Sequence, residues 1–101
     1  MATPPHFSTL YLSAPDVIAL VQRKSIEACL RGTADYFHAD FSRWGAFDKS
    51  VRVASHFRDG VIELMPIADE QTYAFKYVNG HPKNTRWGLP TVMAFGVLAD
   101  V

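Results

Sequence analysis

The apolar residues of this chain change period near position 50, and that change restricts its fold more than any other feature. Before it, Ile26, Cys29, Leu30, Ala34, Phe37, Phe41 and Trp44 recur in steps of three and four, the stripe of a helix. After it come short strand-like runs at residues 51–55, 61–67, 73–78 and 91–98. Helices first and consecutive strands afterwards predict an α+β fold: two N-terminal helices followed by a mainly antiparallel sheet.

Local signals divide these blocks. Ser13-Ala-Pro-Asp16 has the form of a capping box with proline in the first turn, which predicts a helix over 14–24 with Val17, Ile18, Leu20 and Val21 on its apolar face. A second helix is expected over 25–44, with Gly32-Thr33 as a point of interruption and Gly45 as its stop. Arg58-Asp59-Gly60 reads as a turn, residues 79–90 as a loop, and Gly96 as the mark of a bulge in the last strand. Residues 1–12 read as an arm and 13–101 as one incomplete domain. The chain of 101 residues stops soon after a strongly apolar strand, so a fragment is expected.

Charge and composition exclude several functions. Ten basic residues balance ten acidic ones, which removes the electrostatic case for nucleic acid. No apolar run approaches the roughly 18–20 residues that cross a bilayer, and no secretory signal opens the chain. Cys29 is alone, expected in the core, and fits a reducing cytoplasm. Aromatic residues make up 13% of the sequence, more surface than so short a chain buries, so part of it is expected to lie in an interface with another subunit or domain.

Lys76 interrupts the apolar run Tyr73-Ala-Phe-Lys-Tyr-Val78. An ammonium there either reaches solvent or awaits an anion, because burying it unpaired costs several kcal/mol. Arg52 sits in a similar setting. Two cations on neighbouring strands, facing one side, make a receptor for a carboxylate; alternation alone also explains them as solvent-facing residues. Glu63, between Ile62 and Leu64, either pairs with one of these cations or holds a substrate ammonium. Of the histidines, His81 in its loop is the one expected nearest to such a site, although loop histidines are usually just solvated, and His38 is expected on the surface. No histidines or cysteines have metal-ligand spacing, and no glycine-rich phosphate loop or nucleophile elbow occurs.

Four segments carry a resemblance: Arg52-Val-Ala-Ser-His56, Gly60-Val-Ile-Glu-Leu-Met-Pro66, Phe75-Lys-Tyr-Val-Asn-Gly-His-Pro-Lys-Asn84, and Thr91-Val-Met-Ala-Phe-Gly-Val-Leu-Ala-Asp100. They resemble the N-terminal part of the ornithine cyclodeaminase and mu-crystallin family, its bacterial cyclodeaminase branch above all. The resemblance implies a substrate-binding and dimerisation domain, joined in a homodimer through its sheets and followed by a Rossmann domain that binds NAD. It implies conversion of L-ornithine to L-proline and ammonia, with the hydride lent to NAD and returned. It also implies roles: Arg52 and Lys76 on the substrate α-carboxylate, Glu63 near the amino end, Thr91 at the pocket wall and Asn84 shaping the loop beside it.

This sequence is much shorter than the family's members. It lacks their downstream arginine, nucleotide loop and proton-transfer aspartate, so no catalytic residue, bound NAD or turnover is expected of these residues alone. A stand-alone amino-acid-binding or dimerisation module, and part of a related imine reductase or amino-acid dehydrogenase, remain as other readings.

Overall fold

Ser13 starts the first helix as its capping box requires. In the computed structural model, which describes residues 8–101, α1 spans Ala14–Lys24 and α2 Ile26–Ser42. The Ser13 hydroxyl accepts from the Asp16 N–H at 3.2 Å, while Asp16 Oδ2 accepts from the Ser13 hydroxyl at 2.7 Å and its N–H at 2.9 Å. Those two bonds from Ser13 hold the Asp16 carboxyl below the usual carboxylate range. Ser25 turns the chain between the helices at φ 75°, and its hydroxyl caps α2 by accepting from the Ala28 N–H at 3.2 Å.

α2 runs through Gly32 and Thr33 unbroken, so the expected interruption is absent. The Thr33 hydroxyl donates back to the Cys29 carbonyl at 2.8 Å and leaves the helical backbone intact. The helix ends at Ser42 rather than at Gly45, which lies in a following 3-10 turn, Trp44–Ala46. Cys29 is half-buried rather than a core residue. The first seven positions of the expected arm lie outside the described residues.

The helices belong to one compact unit and residues from Arg43 onward to another, a five-stranded sheet. Its strands are β1 (Asp48–Lys49), β2 (Val53–Phe57), β3 (Gly60–Ala68), β4 (Thr72–Gly80) and β5 (Val92–Asp100). All pairings are antiparallel, as expected, with β3, β4 and β5 adjacent in order and β1 and β2 sharing the outer edge of β3. β1 escaped the sequence reading because two residues carry no alternation.

The bulge lies elsewhere than Gly96 led us to expect. β5 pairs with β4 without a break from Val92↔Gly80 to Asp100↔Thr72, and Gly96 sits squarely opposite Lys76. The irregularity is on the other edge. Lys49 pairs with Ile67 and Val53 with Leu64, so residues 50–52 stand opposite the two residues 65–66. One extra residue is a β-bulge, and the strand residue it faces is Pro66, which has no N–H to give a ladder. The bulge also explains why β2 begins at Val53 instead of residue 51.

Three connections set the register. Phe57 pairs with Gly60 across the two-residue loop of Arg58 and Asp59, neither of which has positive φ. Gly60 is therefore not demanded by the turn but by space: a Cβ there would collide with the Gly80 carbonyl and the His81 ring. Between β3 and β4, Asp69 Oδ1 accepts from the N–H groups of Gln71 (2.9 Å) and Thr72 (2.8 Å), and its Oδ2 from Arg43 at 3.0 Å. The Gln71 N–H first, then the Arg43 side chain and the Thr72 N–H, hold the Asp69 carboxyl below the usual range. Between β4 and β5, residues 82–87 form a 3-10 helix that ends on Gly88 at φ 67°.

Strand alternation then assigns two faces to the sheet. One carries Tyr73, Phe75, Tyr77 and Phe95, with the Tyr77 and Phe95 rings stacked at 4.9 Å and Phe75 edge-on to Phe95 at 6.2 Å. The other carries Glu63, Met65, Lys76, Val78, Ala94 and Gly96. No described residue is fully buried, and Phe95 on the aromatic face is 56% exposed.

Candidate functional site

The register brings the candidate cations together on the second face. Met65 pairs with Lys76 and Lys76 with Gly96, so these three form one row across β3, β4 and β5. Arg52, just before β2 in the bulge, lies on the Met65 side of that row. Glu63 lies one row further on, beside Val78, diagonal to Lys76 and about 7–8 Å from it. Arg52 and Lys76 thus flank Met65 at about two strand spacings, roughly 10 Å between backbones.

Arg52 Nη1 donates to Glu63 Oε2 at 3.1 Å, the pairing that the sequence offered as one alternative for Glu63. The arginine side chain is 58% exposed and the glutamate 22%. An ion pair with one partner this exposed is worth about 0–1 kcal/mol. Arg52 keeps further donors for a second anion. Lys76 is exposed and makes no hydrogen bond or ion pair with another described residue. The desolvation cost inferred from its apolar run does not arise, because the sheet presents its side chain to solvent. What remains informative is its place on one face with Arg52 and Glu63.

Asn84 stands apart from those three. Its side-chain amide donates to the Pro90 carbonyl at 3.1 Å, and its own carbonyl accepts from the Leu89 N–H at 3.1 Å. It therefore ties the loop that leads into β5. Thr91 holds the end of that loop through its carbonyl, which accepts from the His81 N–H at 2.8 Å. Together with Val61, Gly80 and Val92, Thr91 also lines a groove at the end of the Lys76 face, where Lys83 pairs with Asp59. His81 shapes the loop rather than a site: its Nδ1 lies 2.5 Å from Asn79 Oδ1, and its ring lies 6.3 Å from that of Phe57. His38 is on the surface, as expected.

Among the described residues no cluster of histidine, cysteine or acidic side chains has the form of a metal site. None of their helices is long and apolar enough to cross a membrane. Met65 and Gly96 escaped the sequence reading as neighbours of Lys76, since only strand register shows who stands beside whom.

Two cations and one carboxylate thus share one face of the sheet. Residues 15–101 match the ornithine cyclodeaminase/mu-crystallin family, and the chain belongs to it. It is 55% identical over 102 residues to an ornithine cyclodeaminase of Brucella abortus biovar 1 (strain 9-941), covering 100% of this chain and 28% of that protein. To an ornithine cyclodeaminase of Agrobacterium fabrum (strain C58 / ATCC 33970) it is 55% identical over 91 residues, 90% of this chain and 26% of the other. Among solved structures, an archaeal alanine dehydrogenase dimer with bound NAD matches with TM-score 0.53 and 33% identity, over 59% of this chain and 19% of that one. The chain thus spans about a quarter of the length of these curated relatives, at their N-terminal part.

Proposed function

We propose that this chain is the substrate-binding and dimerisation part of an ornithine cyclodeaminase, in which Arg52 and Lys76 receive the α-carboxylate of L-ornithine or a related amino acid. The observation that carries the reading is Lys76, an ammonium without an anionic partner among the described residues, one strand away from Met65 and on the same face as Arg52. Guanidinium and ammonium differ usefully here. The guanidinium offers a planar fork and the ammonium a point charge, so together they fix both position and orientation of a carboxylate.

On this reading the Arg52–Glu63 pair is the resting arrangement. A ligand carboxylate that engages Arg52 competes with Glu63, which turns to the ligand's amino group. Holding the amino acid at both ends fixes its α-carbon, a positional contribution to any step at the α-C–H. Thr91 and Asn84 keep the loop wall beside this face in place. On this reading the share of these residues is to bind and orient substrate, and NAD belongs to the remainder of the full protein. The aromatic face is the surface by which two copies pair, and the lone Cys29 suits a cytoplasmic protein.

The archaeal alanine dehydrogenase favours a second reading, oxidation of a smaller amino acid. One assay separates the two. The full protein carrying this chain, given L-ornithine and NAD, is expected to form L-proline and ammonia without net NADH. Net NADH formation with L-alanine and no proline from ornithine would move the assignment to a dehydrogenase, and turnover of neither would contradict the proposal.

A further inference from the structure

Gly96 lies in the middle of β5 without an internal reason to be glycine. Its pairing with Lys76 is regular, so no bulge requires it, and its φ is not positive. A Cβ built there would meet only the Phe75 carbonyl oxygen, at 3.4 Å, which a small shift relieves. A side chain was therefore compatible with the strand, and glycine weakens a strand interior. Where neither turn nor packing calls for it, a bare position on a strand marks the close approach of something else.

The neighbours say where that approach is made. Gly96 stands directly across from Lys76, with Ala94 next along the same face of β5 and Ala74 next along the same face of β4. On its other side Lys76 has Met65, a long side chain. The same face also carries Val78 opposite Ala94 and Leu98 opposite Ala74, so the open space beside the ammonium is the bare Gly96 position itself, between those two side chains.

We propose that Gly96 is a specificity-determining residue: its missing side chain leaves room beside Lys76 for the α-carbon substituents of a bound amino acid. This rests on Lys76 being a carboxylate anchor. An amino acid held there places its α-carbon within a few ångströms of the ammonium, over Gly96, where a Cβ would take its room. Ligands with a side chain are affected, and glycine, which has none, is not.

The test is an NMR titration of L-ornithine and of glycine into the protein and its Gly96→Ala, Gly96→Val and Lys76→Ala variants, with circular dichroism to check the fold. Gly96→Ala is expected to weaken L-ornithine roughly tenfold and Gly96→Val more, while glycine affinity stays within about twofold. Lys76→Ala should lose both ligands. Unchanged L-ornithine binding in Gly96→Ala, or equal losses for both ligands, would overturn the role of Gly96 while leaving the anchor intact. Unchanged binding in Lys76→Ala would overturn both. If Gly96→Val unfolds, the milder Gly96→Ala decides alone.

Discussion

Arg52, Glu63 and Lys76 were each readable as residues, because a charge within an apolar strand run stands out. Which partner each would take was not readable. Arg52 meets Glu63 at 3.1 Å, and Lys76 meets Met65 and Gly96 instead of a carboxylate. Gly96 was misread for the same reason: a glycine in a strand signals a bulge or a close approach, and only register tells them apart. Asp69 was not read at all, although its carboxylate ties the β3–β4 turn through two backbone N–H groups. Its lowered pKa fixes the sign of a pH effect. The contribution is fully present above the ordinary value of 3.8 and is lost as pH falls through the lower folded-state value. Amide exchange at Gln71 and Thr72 is therefore expected to stay protected, beyond the change in intrinsic rate, at pH 5 and to lose protection near pH 2. Equal protection at both would show that other bonds hold the turn.

At the scale of elements, α1 was legible to the residue because a capping box fixes its start and Ser25 its end. α2 was legible apart from its last residues and the interruption expected at Gly32-Thr33, which the helix does not have. The three long strands were found within one or two residues of their ends, since apolar runs of this length bounded by turn signals read as strands. β1 was invisible, and so was the bulge opposite Pro66, which depends on two strands at once. The two-sided nature of the sheet is the further result. Its aromatic face, with Phe95 56% and Tyr73 39% exposed, presents a surface that soluble proteins seldom leave uncovered. If it joins two copies, sedimentation at micromolar concentration should give twice the chain mass, and Phe95→Glu should return the protein to a monomer. A monomeric parent, or a variant that still dimerises, would remove this face from the interface.

For the whole molecule, the chain belongs to the ornithine cyclodeaminase/mu-crystallin family, and the proposal divides its two-faced sheet into one face for assembly and one for substrate. The assembly and substrate roles are proposals, and the chain spans 28% of the relative from Brucella abortus, so the reaction as a whole belongs to more residues than these. The part proposed for these residues is recognition, with two cations and a glutamate on one face of the sheet holding an amino acid by both ends. The most direct measurement is a calorimetric titration of L-ornithine into the protein, compared with Arg52→Ala and Lys76→Ala. Binding in the parent and at least tenfold weaker binding in each variant, with unchanged circular dichroism, is the predicted result. Equal affinity in all three proteins would contradict the account.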